Sequence, residues 1–162
     1  MVWLSVLLFL QAAAPTPQID RGQTLFFAEK GCGGCHALKG HGTAVGPDLR
    51  ILGRVGTRAL VTAIRATRTE YVEMIKLKTG DEFPAMKVSG DAASLAYYDL
   101  SKTPPELKKF APADVESKTD NSAWKHPPAG GNYTNQQIAD IVAYIRWVAT
   151  GEKKAIDPDD VE

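Results

Sequence analysis

The feature that most constrains this chain of 162 residues is a short cysteine–histidine motif near its start. Residues 32–36 read Cys-Gly-Gly-Cys-His, and they hold the only two cysteines of the sequence. This C-x-x-C-H spacing is typical of covalent attachment of a c-type haem. Thiols three positions apart can add to the two vinyl groups on one porphyrin edge, and the next imidazole can then reach the iron. The motif predicts one covalent haem c, attached through Cys32 and Cys35, with His36 as an iron ligand.

Three other interpretations of the same spacing are a structural disulfide, half of a zinc site and a thioredoxin-like redox pair. A structural zinc site needs about two further ligands at a matching spacing, and the chain has no other cysteine. A redox pair expects a preceding strand and does not need the histidine. The haem accounts for both thiols and the imidazole together, so no disulfide is expected.

The composition excludes some classes of function. The chain carries 19 basic and 19 acidic residues, so its formal net charge is zero. Nucleic-acid binding calls for a basic stripe, which this sequence lacks. With 44% hydrophobic and 23% charged residues the chain has the composition of one ordinary folded domain.

An apolar run at residues 2–14 precedes the motif. It is too short to cross a bilayer, which takes roughly 20 residues, and it is followed by Pro-Thr-Pro. The pattern predicts a signal peptide over residues 1–17 and no membrane span after its cleavage. A buried N-terminal helix is the other interpretation. Haem attachment of this type takes place outside the cytoplasm, which favours the signal peptide and a periplasmic or otherwise extracytoplasmic location.

Helices are predicted on both sides of the chain's centre. Asp20 is the expected N-cap of a first helix that runs to about residue 30, with Gly22 and Phe26 on one face. Leu60, Val61 and Ile64 indicate a second helix at residues 57–67. The clearest helix is the last one, which has a Thr-x-x-Gln capping box at residues 134–137, an apolar face through residue 148 and a glycine stop at residue 151.

A small antiparallel sheet is predicted between about residues 70 and 116. Residues 71–77, 83–88 and 94–100 are short β-prone runs that Gly-Asp turns separate. A fourth run at residues 107–115 is interrupted by prolines, which weakens it. The acidic tail at residues 152–162 is expected to be a solvated end.

Taken together, these features resemble a class I c-type cytochrome domain. The resemblance rests on Gly22 and Phe26, on the C-x-x-C-H motif, on Gly-Pro-Asp-Leu at residues 46–49 and on the last helix at residues 138–145. It implies a mainly α fold of three to four helices around a covalent haem, with a small antiparallel sheet inserted in a domain of residues 18–151. The chain also resembles a bacterial subgroup of this family that has a small β-sheet ahead of the loop that carries the sixth iron ligand.

The resemblance also implies specific contacts. In this family the first and last helices cross beside the haem, and the glycine–aromatic pair meets an aromatic of the last helix, for which Tyr144 is the match. A ligating imidazole usually donates its other N–H to a backbone carbonyl. The proline after the haem loop supplies that carbonyl, so Pro47 is expected to bond His36.

The sixth iron ligand is where the sequence departs from the family. The family usually supplies a methionine from the loop before the last helix, but this loop reads Trp-Lys-His-Pro-Pro at residues 124–128. We therefore predict His36/His126 ligation. The alternatives are an iron that is five-coordinate or ligated from elsewhere, with His126 at the surface. Met86, Met74 and Lys125 are less favoured candidates for the sixth ligand, and His41 is expected to lie at the surface.

The function that follows is an extracytoplasmic one-electron carrier with one haem, and not an enzyme. Replacing a methionine ligand by an imidazole predicts a lower reduction potential. Its partners would be redox proteins, such as a dehydrogenase or a respiratory complex. Two alternatives stay open, namely a haem-based ligand binder or peroxidase-like protein with an open sixth position, and an electron-transfer subunit that docks on a periplasmic dehydrogenase.

Overall fold

Four helices and five strands make up the part of the chain that the computed structural model describes, which is residues 14–29, 31–66, 71–127 and 133–162. The predicted signal peptide lies almost wholly outside these residues. No helix within them is long and apolar enough to cross a membrane. The helices are α1 (Pro17–Phe26), α2 (Arg50–Gly53), α3 (Thr57–Arg65) and α4 (Asn135–Thr150). The strands are β1 (Val72–Leu77), β2 (Glu82–Gly90), β3 (Leu95–Asp99), β4 (Glu106–Phe110) and β5 (Val115–Asp120).

The prediction of a mainly α fold is wrong. Of the described residues, 35% are helical and 24% lie in strands, and the strands form one antiparallel sheet of five rather than a minor insert. The sheet has an apolar core of its own around Ile75, Phe83 and Tyr97, separate from the core between the helices. The chain therefore combines a helical part with a sheet of comparable importance.

The predicted crossing of the first and last helices is confirmed. Gly22 of α1 lies so close to α4 that a Cβ atom there would be 1.9 Å from the backbone carbonyl oxygen of Asp140. One turn later the rings of Phe26 and Tyr144 pack with their centroids 5.7 Å apart. A glycine and an aromatic on one face of α1 thus let the two helix backbones come into contact.

An ion pair reinforces this crossing. Asp140 of α4 is buried, and its carboxylate accepts hydrogen bonds from Arg21 Nε at 2.8 Å and Nη2 at 2.9 Å. The Gln136 side chain donates a third bond to the same carboxylate at 2.9 Å. Hydrogen bonding from an arginine offsets the cost of burying a carboxylate beside the helix backbones.

The start of α1 differs from the prediction. The N-cap is Thr16, whose hydroxyl accepts from the Ile19 N–H, and not Asp20, which lies in the first turn. Pro17 holds the first helical position, where the missing N–H is not needed and the fixed φ suits a helix. The helix ends at Phe26, earlier than expected, because the chain turns there into the cysteine motif.

The last helix matches its prediction closely. Thr134 and Gln137 form the capping box, with both side chains bonded to each other's backbone N–H. Gly151 ends the helix in the left-handed region, at φ 77°. The predicted apolar face is buried at Ile138, Ile141, Val142 and Ile145.

The sheet is curled so that its edges approach each other. Its strand order is β4-β3-β2-β1-β5, yet residues 111–114 alone connect the two edge strands. The edges of a flat five-stranded sheet would be roughly 19 Å apart, about the full reach of that connection if it were extended. Because Pro112–Asp114 form a 3₁₀ turn instead, the sheet must curl to bring its two edge strands together.

Two details of the predicted sheet are wrong. The sequence predicts a single fourth run near residues 107–115, but this range contains most of β4, the turn at Pro112 and the start of β5. The insert ends at Asp120 rather than near residue 116. β5 was missed because almost all of its residues are exposed and polar, so it has no apolar alternation.

The acidic tail is not a solvated end. Ile156 and Val161 are buried in the helical core. The Gln18 side chain bonds the backbone of Ile156 in both directions, at 2.8 and 3.0 Å. The Arg65 guanidinium donates to the Val161 carbonyl at 2.7 Å. Two apolar residues among the carboxylates therefore attach the tail to α1 and α3.

The helix crossing can be tested with Gly22→Ala. The added methyl would overlap the Asp140 carbonyl, so the two helices must separate, and we expect the free energy of unfolding to fall by about 1–3 kcal/mol. Chemical denaturation followed by circular dichroism measures it. Thr24→Ala, at an exposed position of the same helix, is the control and should stay within about 0.5 kcal/mol of wild type. Equal stability of the two variants would contradict the close crossing.

The docked tail can be tested with Val161→Ala. Removing two methyl groups from a buried site should lower the free energy of unfolding by about 1–3 kcal/mol. The matched control is Asp160→Ala, because Asp160 is exposed on the same turn and its side chain should contribute little. If Val161→Ala unfolds at the same denaturant concentration as the control, the tail does not stabilise the helical part.

Candidate functional site

The cysteine motif forms a tight turn directly after α1. Residues Cys32–Gly34 make one turn of 3₁₀ helix, and the Cys32 carbonyl accepts from the N–H groups of both Cys35, at 3.1 Å, and His36, at 2.8 Å. Gly33 is buried under the Phe27 ring, where a Cβ atom would lie 2.6 Å from a ring carbon. The turn brings the two thiols and the imidazole together, as the motif predicts.

The two cysteines form no disulfide with each other. Burial raises the pKa of Cys32 to about 11, and burial also raises the pKa of Cys35. Reactive and redox-active cysteines have the opposite property, a pKa lowered by nearby positive charge or a helix N-terminus. The site is therefore unlike a thioredoxin-type pair. It is also unlike a zinc site, because the described residues contain no group of three or more histidines, cysteines and carboxylates that could hold a metal ion.

The imidazole of His36 has a fixed orientation. Its Nδ1–H donates to the Pro47 carbonyl oxygen at 2.8 Å, which confirms the expected contact. Burial lowers the pKa of His36 although the Pro47 bond acts in the other direction, so the ring is held in the neutral form that metals bind. With Nδ1 used, Nε2 is the nitrogen left for the iron.

The loop after the motif folds back against this ring. Val45 and Gly46 both donate their N–H groups to the Cys35 carbonyl, at 3.0 and 2.7 Å. A Cβ atom at Gly46 would lie 2.4 Å from His36 Cε1 and 3.1 Å from Nε2. A glycine is required at this position because the backbone approaches the imidazole too closely for a side chain. The Gly-Pro dipeptide predicted the loop but not this contact.

The second imidazole comes from the loop after β5. The ring centroids of His36 and His126 are 6.0 Å apart, with 42° between the ring planes. The His126 ring is half-buried, and its Nδ1 is buried without a hydrogen-bond partner in the described structure. Burial lowers the pKa of His126, and the nearby His36 lowers it further. Residues 128–132, which complete this loop, lie outside the described residues.

The Trp124 ring packs against the His126 ring. Their ring centroids are 6.4 Å apart and the planes are perpendicular. From the sequence alone Trp124 is expected only to pack on the haem or to be exposed, because a contact between residues two apart in an irregular loop has no periodic signal. The structure therefore adds Trp124 and Gly46 to the predicted site residues.

The other candidate ligands have different surroundings. Met74 lies in β1 opposite Pro84, and Met86 lies in β2 opposite Val72. β1 pairs with β2 and β5, and β2 pairs with β1 and β3. Both methionines therefore lie on inner strands of the sheet. Lys125 is exposed, and so is His41, which forms a turn with Leu38.

The donor set fits a haem. Two free thiols, one oriented imidazole and a second imidazole facing it are the groups that covalent attachment and axial ligation use. Two metal–imidazole bonds of about 2 Å, together with the distance from each nitrogen to its ring centre, separate two ring centroids by about 6 Å. The 6.0 Å between the two histidine rings matches this separation. Cys32, Cys35, His36, Pro47 and His126, the predicted site residues, are thus placed compatibly with one cofactor.

Comparison with known protein families agrees with this geometry. Residues 19–149 match the family described as Cytochrome c, and the match includes the motif, the sheet and nearly all of α4. Comparison with curated proteins gave no match. The family implies covalently attached haem c with iron and transfer of electrons. Because the match covers most of the chain, this protein belongs to the cytochrome c family and is a haem-binding electron carrier.

Proposed function

We propose that this cytochrome carries single electrons outside the cytoplasm, and that its one haem is attached through Cys32 and Cys35 and ligated by His36 and His126. The observation that carries the ligand assignment is the facing pair of imidazoles, 6.0 Å apart from centroid to centroid. The bound haem supplies a reversible one-electron change between ferric and ferrous iron, and the protein supplies its ligands and surroundings.

The two cysteines determine where the haem is attached. They are the only cysteines in the chain, so two thioether bonds to the protein require both of them. Because a thioether carries no ionisable proton, attachment removes the two buried thiols whose raised pKa values reflect their apolar surroundings. The 3₁₀ turn of Cys32–Gly34 would hold the attached haem close to His36.

The Pro47 carbonyl makes His36 the stronger of the two axial ligands. A hydrogen bond from the non-ligating nitrogen fixes the tautomer and ring orientation and raises the basicity of the ligand. The packing of Gly46 against the same ring restricts its rotation. Both contacts come from the loop that folds back on the motif, so the proximal ligand is fixed by residues close to it in sequence.

His126 distinguishes an electron carrier from an open-site haem protein. Ligation by a second histidine fills the sixth position and leaves no coordination site for a substrate. A methionine ligand raises the potential of c-type cytochromes, so an imidazole in its place lowers it. This supports a carrier over the ligand-binding and peroxidase-like alternatives.

The extracytoplasmic location rests on the sequence. The apolar run at residues 2–14 resembles a secretory leader, and c-type haem attachment takes place outside the cytoplasm. The partners in this proposal are other redox proteins, such as a periplasmic dehydrogenase or a respiratory complex. With a formal net charge of zero, attraction to such partners would come from local charged groups rather than from a global field.

The ligand assignment can be tested by the visible spectra of the ferric and ferrous holoprotein. We expect wild type to be low-spin without the red-edge band of methionine ligation. His126→Ala should become high-spin, because it loses a strong-field ligand. His41→Ala, which removes the exposed third histidine, is the control and should leave the spectrum unchanged.

Two results would contradict the assignment. A methionine band in wild type would move the sixth ligand to Met86 or Met74. A high-spin wild type would favour the ligand-binding or peroxidase-like alternative.

The role of His126 in setting the potential can be tested with His126→Met. A thioether favours ferrous iron more than an imidazole does, so the potential should rise, by about 59 mV for each tenfold change in the relative affinity of the ligand for the two oxidation states. Spectroelectrochemical titration measures it, and His41→Met is the matched control. An unchanged potential together with an unchanged spectrum would show that residue 126 does not ligate the iron.

A further inference from the structure

The two imidazoles are held in different ways. His36 donates from Nδ1 to the Pro47 carbonyl at 2.8 Å. His126 Nδ1 is buried and makes no hydrogen bond of good geometry in the described structure, and the backbone of Pro127, which raises the pKa of this imidazole, is the only backbone group recorded near it among the described residues. A ligating histidine is ordinarily oriented by a hydrogen bond from its second nitrogen. The orientation of the His126 ring must therefore come from packing.

Trp124 is the aromatic side chain that packs against it. The ring centroids lie 6.4 Å apart at 90°, which is within the range of favourable edge-to-face contacts. Trp124 is itself half-buried. A perpendicular indole limits the rotation of the imidazole about its side-chain bonds.

The position of Trp124 is set by the end of the sheet. Its backbone N–H donates to the Asn121 side-chain oxygen at 3.0 Å. The Asn121 backbone N–H in turn donates to the Val72 carbonyl of β1 at 2.9 Å. The Trp124 N–H also contacts the Asn121 carbonyl at 3.3 Å. These hydrogen bonds connect the tryptophan to a paired strand, so the loop is anchored where it leaves the sheet.

We propose that Trp124 is the positioning residue for the distal ligand, and that its contact with His126, anchored through Asn121 to β1, keeps the sixth iron position closed to external ligands. The inference rests on the proposed His36/His126 ligation. Without the indole, the imidazole has neither a hydrogen bond nor a ring to hold it, so it leaves the iron more often. A small ligand such as carbon monoxide then binds the ferrous iron in its place.

The test is the rate of carbon monoxide binding to the ferrous holoprotein by stopped flow, with the ferric spectrum recorded in parallel. We expect Trp124→Ala to bind carbon monoxide about tenfold to a hundredfold faster than wild type, the usual size of effects from residues that orient a ligand. Its ferric spectrum should contain a high-spin fraction. Trp124→Phe, which keeps an aromatic ring, should restore the wild-type rate.

Three further variants make the result specific. Asn121→Ala should accelerate binding in the same direction by removing the side-chain anchor. Lys125→Ala, at an exposed neighbouring position of the same loop, should leave the rate unchanged. Trp124→Leu keeps an apolar side chain without a ring, and it should still bind faster than wild type even if Trp124→Ala does not fold.

The outcomes separate this inference from the proposed ligation. If His126→Ala becomes high-spin but the Trp124 variants bind carbon monoxide at the wild-type rate, the positioning role is overturned and the ligation stands. If His126→Ala leaves the spectrum unchanged, both are overturned. Equal acceleration in Trp124→Phe and Trp124→Ala would also overturn the role of the aromatic ring.

Discussion

The backbone-to-backbone approach of α1 and α4 at Gly22 is the constraint on which the rest of the structure depends. It brings the end of α1, and with it the cysteine motif, against Tyr144 of α4. A second close contact at a glycine lies on the other side of α4. A Cβ atom at Gly53 of α2 would lie 2.6 Å from the Ala149 methyl. Glycines on two neighbouring helices thus let one long helix touch both backbones, and the loops that carry the proximal ligand extend from these contacts.

The two candidate axial ligands belong to different parts of the fold. His36 and its supporting loop come from the helical part, where each supporting hydrogen bond joins residues close in sequence. His126 comes from the end of a sheet that has its own core. The relative placement of the imidazoles therefore depends on how the sheet joins the helices.

Local rules predicted most of the site and much of the helical part. The motif, the Gly22–Phe26 pair and the capping box are patterns of neighbouring residues, the Pro47 contact joins positions 11 apart along one loop, and the structure contains each of them. What the sequence could not show was non-local. β5 is polar and owes its place to pairing with β1, the curl of the sheet follows from a short connection between its edges, and the tail docks through two apolar side chains.

The join between sheet and helices has a consequence for how such a protein can vary. The sheet leaves at Val72 and returns at Asn121, and a backbone hydrogen bond of 2.9 Å connects these two residues. A segment whose ends meet can grow, shrink or be exchanged without altering the distance that the host must span. Insertions, deletions or exchanges within the sheet then leave the packing of the helical part unchanged. A change in the twist of its first and last strands has a different effect. It would rotate the loop that carries His126 relative to the loop that carries His36.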